Sequence, residues 1–459
     1  MLLPARRSLT VLLGAALLLS ACATTTPGPS RPATSVAESA SPAPSAGIGE
    51  VVAAPGSAST IYAPNPGAIV VAIDPGHGGC LDWGVPDPRE RGTAFSEKEM
   101  TLAIGLELKR LLEAQGVTVV TTRAADEALA GDDYPSLGCN GPPFRDVNGD
   151  GETGFDPEGK IRTHDELQAR IDLANVARAD VLISIHINSI IENGAPIEIA
   201  LTETFYTDET PWGVSATEGL AQQVQDGVVS ALAGAASYER HDRGISAVNF
   251  FIVAPPLFVT TPDRPDPVKQ PRRGALMPAI LTEIGSITLA AEHDLLLSAA
   301  GQTAAAQGIA DALGAYFKDR RLAVRYDAEL PGGTAGDQPG AVDGDGPPFW
   351  GPAVDPATLG TGIRLRLTNT GSEPWPSGLQ LLIGWQASDE PYLRVSPADL
   401  APLASDMPAL RPGESVELLV PMVAPTGGVR QVAWITLSNG SRALTEIGSP
   451  PLQLANSPG

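Results

Sequence analysis

Two short apolar runs in this chain each end beside a single histidine. Residues 70–73 read VVAI and lead through a DPG turn into His77, and residues 181–185 read VLISI and lead directly into His186. Runs of this kind, rich in β-branched residues and closed by turn residues, are typical of buried strands. We therefore expect both imidazoles at the carboxyl ends of neighbouring strands, where open α/β sheets place their ligands.

The segments that follow these runs have the period of amphipathic helices. One helix is predicted over residues 100–115, where Ser96 and Glu99 have the spacing of a capping box, and others are predicted from residue 163 and over residues 303–318. Strands that alternate with helices predict an α/β fold with an open, mostly parallel sheet flanked by helices.

Near the carboxyl-terminal end the pattern changes to the alternation of half-buried strands. The segments 363–367, 416–420 and 432–437 alternate apolar and polar positions, and residues 379–385 form a further apolar run. Turn residues separate them. We predict a small all-β sandwich over residues 349–457, after a Gly-, Asp- and Pro-rich linker over residues 321–348.

The composition of the chain limits the kinds of molecule that it can bind. The 459 residues allow two or three domains, and a hydrophobic fraction of 43% is enough to build their cores. The formal net charge of −23 repels phosphate backbones, so we expect no nucleic-acid partner. A neutral or weakly charged polymer remains compatible with this charge.

Residue types near the two histidines favour a zinc site. Catalytic zinc commonly has three protein ligands, two His and one Glu among the known sets, and keeps one position for water. His77 and His186 supply the imidazoles. If the capping box occupies Glu99, then Glu97 is left at the helix start, where the helix dipole favours a carboxylate. We expect the remaining histidines to be structural or solvated: His164, His241 and His293.

The motifs that carry these residues, taken in order, resemble the zinc-dependent N-acetylmuramoyl-L-alanine amidases of bacterial cell walls, the amidase_3 type. They are DPGHGG at 74–79, SEKEMTL at 96–102, SIHIN at 184–188 and LTEIG at 281–285. The resemblance covers residues 67–320. It implies a hydrolase that uses a zinc-activated water to cleave the amide between N-acetylmuramic acid and L-alanine in peptidoglycan.

The resemblance also implies roles for single residues. His77, Glu97 and His186 would hold Zn²⁺, and Glu283, which follows the apolar residues 278–282, would be the catalytic carboxylate. Two alternative functions remain open: a zinc peptidase that acts within the stem peptide, and a wall-binding lipoprotein without catalytic turnover.

Two further residues are candidates for substrate binding. Asn188 closes the SIHIN motif, and Arg243 lies in an HDRG segment at 241–244 that resembles a recurrent turn of the family near the substrate groove. The alternative for Arg243 is an ordinary surface arginine.

The first 22 residues have the layout of a lipoprotein signal peptide. Arg6 and Arg7 precede the apolar run 11–19, and LSAC at 19–22 resembles a bacterial lipobox with Cys22 as the lipidated residue. An ordinary signal with an unrelated cysteine is the alternative. With the flexible linker over residues 23–66, this predicts an exported protein of the cell envelope, lipid-anchored to the outer face of a bacterial membrane.

An unusually long insert is predicted at about residues 127–162. The other two cysteines, Cys80 and Cys139, form an even pair in an exported chain, which favours a disulfide between the His77 turn and this insert.

The insert also carries Asp146, Asn148 and Asp150 at alternate positions with glycine sixth, as in the opening of an EF-hand or dockerin calcium loop. The twelfth position is Pro157 instead of an acidic residue. The segment is therefore either a Ca²⁺ site or a plain acidic loop.

The carboxyl-terminal segment resembles the immunoglobulin-like four-tryptophan domains of exported bacterial enzymes. The resemblance rests on Asn369, Trp375 and Trp434 with their neighbouring turns. Two roles remain open for it: a packing or spacer domain, and a domain that binds a wall or protein ligand.

Overall fold

The computed structural model describes residues 69–148, 153, 163–208, 214–254, 274–329, 353–354, 356–387, 400–423 and 431–456. The predicted signal peptide with Cys22, the linker at 23–66 and Asp150 of the insert lie outside these residues, as does most of the predicted linker at 321–348.

The first part of the fold is an α/β unit. Its strands, in chain order, are β1 (Val70–Pro75), β2 (Thr118–Thr121), β3 (Asp133–Tyr134), β4 (Cys139–Asn140), β5 (Val181–Asn188), β6 (Ile191–Glu192), β7 (Ala195–Pro196), β8 (Leu201–Tyr206), β9 (His241–Ala247) and β10 (Ala279–Ser286). Its helices are α1 (Glu97–Glu113), α2 (Thr163–Val176), α3 (Val214–Ala235), α4 (Ala290–Leu297) and α5 (Ala299–Asp319).

Six of these strands form the central sheet, in the order β2-β1-β5-β10-β8-β9. Every neighbouring pair is parallel except β10 and β8, which are antiparallel. The expected open, mostly parallel sheet flanked by helices is confirmed, with one antiparallel step inside it. The small pairs β3–β4 and β6–β7 are hairpins outside the sheet.

Successive residues of each strand face opposite sides of the sheet, and apolar residues are buried on both sides. Val71 and Ile73 of β1 pack in one cluster with α1, α3 and α5, whereas Val70 and Ala72 pack in another with α2. In α1 the contact is made by fully buried residues at a helical spacing of four: Met100, Ile104, Leu108 and Leu112. Burying each such side chain stabilises the fold by about 1.5–3 kcal/mol.

The strand register brings the motifs together. Pro75 at the end of β1 is level with Ile185 of β5, and His186 is level with Glu283 of β10. The DPGHGG turn, the second histidine and the glutamate of the LTEIG motif therefore meet at one edge of the sheet, as expected from their positions at or near strand ends.

The second part is all β. Its strands are β11 (Val324–Glu329), β12 (Ala353–Val354), β13 (Ile363–Asn369), β14 (Leu379–Ala387), β15 (Ala401–Met407), β16 (Ser415–Val420), β17 (Gln431–Ser438) and β18 (Leu452–Asn456), with one short helix, α6 (Pro356–Thr361). They form two sheets, β11-β13-β16 and β12-β18-β17-β14-β15, that share one hydrophobic core. The all-β character is as expected, and the immunoglobulin-like resemblance stays a prediction.

Four elements differ from the sequence-based expectation. Strand β11 lies inside the segment predicted as linker, because Val324 and Tyr326 alternate with polar residues and pack into the β core. Residues 241–247 form the edge strand β9 instead of a turn, with Gly244 at φ +71° beside a register shift. Helices α1 and α5 begin at Glu97 and Ala299, each about one turn earlier than predicted. Within the described ranges, no helix has the length and apolar character needed to cross a membrane.

Candidate metal centre and active site

A glycine-rich turn places His77 beside His186. After β1 the chain enters the left-handed region at His77 (φ +63°) and stays there through Gly78 and Gly79, a conformation that residues with a Cβ rarely adopt. A Cβ on Gly76 would lie 2.4 Å from Cε1 of His186. Glycine at this position therefore lets the two imidazoles approach, and their ring centroids are 4.8 Å apart.

Glu97 completes a cluster of three ligand-type residues. Its Oε1 lies 3.2 Å from Nε2 of His77 and 3.0 Å from Nδ1 of His186. The three candidate ligand atoms all lie within 4.8 Å of one another. The Glu97 side chain is buried, whereas those of His77 and His186 are 22% and 15% exposed. The cluster is thus closed on the helix side and open where the imidazoles reach the surface.

The environment of Glu97 favours the carboxylate form. Burial alone would raise the pKa of Glu97, but His77 and His186 outweigh it and hold that pKa far below its usual range. Backbone N–H groups of Ile187 and Val85 donate to its two oxygens at 2.9 and 2.8 Å.

The structure brings Glu97 to the two imidazoles for a reason other than the one used in the sequence analysis. The side chain of Ser96 makes no cap bond to α1 and donates instead to the carbonyl of Thr93 at 2.6 Å. The capping-box argument was therefore wrong. Glu97 lies at the cluster because it is the first residue of α1 and its carboxylate faces both imidazoles.

Asp82 orients His77, and sequence reasoning missed it. Its Oδ1 lies 2.6 Å from Nδ1 of His77 and accepts the N–H of Gly84 at 3.3 Å. Burial would raise the pKa of Asp82, but His77 lowers it below its usual value, so the carboxylate accepts the Nδ1 proton. Nε2 of His77 then remains for a metal, the arrangement found around metal-bound histidines. The sequence signal was an acidic residue five positions after the histidine.

Two buried arginines hold the DPGHGG turn. Arg170 donates to the carbonyls of Pro75 and His77 at 2.8 and 2.7 Å, and to Asp74 Oδ1 at 2.8 Å. Arg123 donates to the carbonyls of Pro75 and Gly76 at 2.9 and 3.0 Å. Both arginines donate hydrogen bonds to carbonyl groups that, in this strained turn, have no partner in a neighbouring strand. The sequence analysis assigned neither of them a role.

Glu283 lies on β10 next to the cluster. It is level with His186 on one side and with Glu203 of β8 on the other. Its Oε2 is buried and has no hydrogen-bond partner among the described residues. Burial, together with the negative charge of Glu97, raises the pKa of Glu283 well above its usual value. A buried carboxyl oxygen without a partner is a candidate for contact with a reactant.

The two candidate substrate-binding residues lie on different strands. Asn188 is the last residue of β5, and its carbonyl accepts the N–H of Ile287 at 2.9 Å. Arg243 lies on β9, where its Nη1 is 3.1 Å from Oε2 of Glu203 and its side chain is 48% exposed. The β8 neighbour of Glu283 therefore holds Arg243 by an ion pair.

The insert is attached to the turn that carries His77. Cys80 and Cys139 form a disulfide with a Cα–Cα distance of 5.7 Å. Asp132 of the insert accepts the N–H of Cys80 at 2.7 Å, and Asp126 accepts that of Gly79 at 2.8 Å. The insert is thus fixed beside the cluster of His77, Glu97 and His186.

The proposed calcium ligands are described only in part. The N–H of Asn148 donates to Asp165 of α2 at 3.1 Å, and that of Val147, the residue after Asp146, donates to the same oxygen at 2.7 Å. Because Asp150 lies outside the described residues, the Ca²⁺ site stays a prediction.

The other histidines belong to other surroundings. His164 stacks on Phe251, His293 is fully buried with Nε2 2.8 Å from the carbonyl of Phe95, and His241 begins β9 with an exposed side chain. Each lies apart from the His77, Glu97 and His186 cluster.

The similarity to a known protein family is confined to the α/β part of the chain. The family model described as N-acetylmuramoyl-L-alanine amidase (Amidase_3) matches residues 71–315, just over half of the 459 residues. The match ends before β11, so it leaves the all-β part uncovered.

Curated relatives come from Bacillus subtilis (strain 168). The uncharacterized protein YqiI is 23% identical over 247 residues, which are 54% of this chain and 84% of that protein. The germination-specific N-acetylmuramoyl-L-alanine amidase is 30% identical over 121 residues, which are 26% of this chain and 39% of that protein. N-acetylmuramoyl-L-alanine amidase LytC is 25% identical over 251 residues, 54% of this chain and 35% of that protein. The chain thus spans most of the first relative and less than half of the other two.

Solved structures that are similar to this chain include the N-acetylmuramoyl-L-alanine amidase from Clostridium difficile 630. It is 26% identical with a TM-score of 0.36, covering 55% of this chain and 98% of that one. The catalytic domain of the amidase CwlV from Bacillus (Paenibacillus) polymyxa var. colistinus is 25% identical with a TM-score of 0.35, covering 53% of this chain and 96% of that one.

Proposed function

Because the chain belongs to the N-acetylmuramoyl-L-alanine amidase family, we propose that it is a zinc-dependent peptidoglycan hydrolase. The bond cleaved is the amide between the lactyl group of N-acetylmuramic acid and L-alanine. The observation that carries the proposal is the cluster of His77, Glu97 and His186 beside the buried carboxyl group of Glu283.

The donor set fits zinc. Two imidazoles and one carboxylate are a known ligand set for catalytic zinc. Backbone N–H groups of Ile187 and Val85 stabilise the Glu97 carboxylate, and Asp82 leaves Nε2 of His77 for the metal. When bound there, Zn²⁺ supplies Lewis-acid chemistry: it polarises the amide carbonyl and lowers the pKa of a water to about 7.

Glu283 would carry the proton. It takes a proton from the attacking water as the new C–O bond forms, and it delivers that proton to the alanine nitrogen as the C–N bond breaks. The raised pKa of Glu283 suits a group that must both accept and release a proton. A dication at the cluster lowers this pKa again, because a positive charge favours the carboxylate.

The substrate requires a location outside the cytoplasm. The predicted signal peptide over residues 1–22 and the predicted lipidation of Cys22 support an enzyme anchored to the outer face of a bacterial membrane. The linker at 23–66 would give such an enzyme reach towards the wall.

Mass spectrometry of digested muropeptides tests the reaction. We expect the protein to release stem peptides with a free amino-terminal L-alanine and glycan without peptide. Glu283→Gln should lower kcat by at least about 10²-fold, the scale of a lost proton-transfer group, with zinc content unchanged. Glu113→Gln, on the exposed end of α1, is the matched control.

Other products would contradict the proposal. Cuts inside the stem peptide would identify a peptidase, and binding to wall without any product would identify a binding protein. Loss of zinc in Glu283→Gln would make Glu283 a ligand instead of the proton carrier.

A further inference from the structure

A tryptophan with a solvent-exposed side chain lies in the segment next to the cluster of His77, Glu97 and His186. Trp83 is 40% exposed, whereas Trp375 and Trp434 in the all-β part are each 1% exposed. It follows the His77 turn and precedes α1, and the proposed mechanism gives its own side chain no role.

The segment that holds Trp83 is fixed at several points. Nε1–H of Trp83 donates to the carbonyl of Cys80 at 2.7 Å, and its own carbonyl accepts the N–H of Lys98 at 3.3 Å. Cys80 is in turn bound to the insert by the disulfide with Cys139. The one polar group of the indole is therefore satisfied within the protein, and the ring itself is an apolar surface held in place.

Both chain neighbours of Trp83 touch the metal cluster. Asp82 bonds to Nδ1 of His77, and a Cβ on Gly84 would lie 2.5 Å from Cδ2 of His77 and 2.4 Å from Oε2 of Glu97. Since consecutive Cα atoms are about 3.8 Å apart, the Trp83 backbone lies next to the ligands. The exposed indole therefore belongs to a backbone segment that lines the candidate metal centre.

The sheet order gives the site two chemically different sides. The Trp83 segment follows β1, on one side of the cluster, whereas Arg243 lies on β9, beyond Glu283 and β8 on the other. An indole with no free donor suits the C–H faces of a sugar ring, and a guanidinium suits carboxylates. A substrate with a sugar on one side of its amide and an acidic peptide on the other matches this polarity.

We propose that Trp83 is a saccharide-binding residue that stacks on a pyranose ring of the glycan strand, so that the strand lies over the β1 side of the site and the stem peptide over the β9 side. This assignment rests on the proposed amidase function for the identity of the polymer. Trp83 acts in binding and orientation, and it takes no part in proton transfer.

Binding of peptide-free glycan strands tests the assignment without turnover. Isothermal titration of the zinc-loaded protein with purified N-acetylglucosamine–N-acetylmuramic acid oligomers should give an affinity about tenfold weaker in Trp83→Ala. Trp83→Phe keeps an aromatic face and should stay within about threefold of the unsubstituted protein. Phe250→Ala is the matched control, because Phe250 is 39% exposed and follows β9 outside the cluster.

A kinetic arm separates binding from chemistry. With whole wall as substrate, Trp83→Ala should raise KM by about tenfold with kcat little changed, and its zinc content should match that of the unsubstituted protein. If Trp83→Ala loses zinc or folds poorly, Trp83→Leu, which keeps an apolar side chain without a ring, replaces it in the comparison with Trp83→Phe.

The outcomes for the two proposals are distinct. Equal glycan affinity in Trp83→Ala and the unsubstituted protein, or no glycan binding by either, would overturn the saccharide site even if the wall is cleaved. Glycan binding that depends on Trp83 in a protein that releases no peptide would support the saccharide site and refute the amidase function.

Discussion

Replacing Asp82 by asparagine should weaken zinc binding without removing a ligand. The carboxylate of Asp82 contacts His77 at 2.6 Å and holds the imidazole so that Nε2 faces Glu97. Asparagine keeps the size of the side chain and loses its charge. The imidazole of His77 then loses both a charged acceptor and part of its orientation.

The expected size of the effect follows from the contact. A hydrogen bond to a charged group contributes about 1.5–3 kcal/mol and a neutral one about 0.5–1.5 kcal/mol. The substitution should therefore cost about 1–1.5 kcal/mol, close to a tenfold loss of zinc affinity. The Asp82 side chain is 29% exposed, which places the loss at the lower end of the 10–100-fold effects known for groups behind metal ligands, so about tenfold is the expected value.

Competition with a fluorescent zinc indicator measures this affinity. The matched control is Asp294→Asn, which removes a carboxylate that pairs with Arg89 at 2.5 Å outside the cluster and should leave zinc affinity unchanged. Equal zinc affinity in Asp82→Asn and the unsubstituted protein would refute the orienting role of Asp82. A loss beyond about 10³-fold would instead make Asp82 a metal ligand, since ligand removal exceeds the effect of an orienting group.

Three further predictions concern other parts of the chain. His186→Ala should purify with less than one zinc per chain and cleave no wall, because one of three ligands is gone; a full zinc content by mass spectrometry would contradict the assignment. Replacing Cys80 and Cys139 together by serine should lower the free energy of unfolding in urea by about 4 kcal/mol, since the bridge spans 59 residues of chain; unchanged stability would show that the insert is not held by it. Cys22→Ala should move the protein from the membrane fraction to the soluble fraction, and a variant that still resists a salt wash of membranes would rule out the lipid anchor.

The sequence could predict that the two candidate histidine ligands lie together, because their signals are local. His77 and His186 follow apolar runs that read as strands without knowledge of anything distant, and parallel strands bring their carboxyl ends to one edge. The edge strand β9 was not predictable in this way. Its Asp-Arg-Gly sequence is typical of a turn, and only pairing with β8 makes it a strand.

The residues that support the ligands could not be found from local signals. Arg170 reaches Asp74 across 96 positions of sequence, and Arg123 reaches Pro75 across 48. An arginine on a helix or after a strand normally indicates a solvated surface. The residues next to it in sequence do not show whether it is buried against a distant motif instead. Such pairs become visible only when the fold sets the distance between segments.

These two arginines explain why the glycine-rich motif is not sufficient for the site. A left-handed residue with a Cβ costs about 1–2 kcal/mol, and each buried carbonyl without a partner costs about 1–3 kcal/mol. His77 adopts φ +63°, and the carbonyls of Pro75, Gly76 and His77 are all bonded to Arg123 or Arg170. The strained turn is therefore stabilised by guanidinium groups from α2 and from the segment that follows β2. Its imidazole reaches the metal cluster because the whole sheet, and not the motif alone, fixes its backbone.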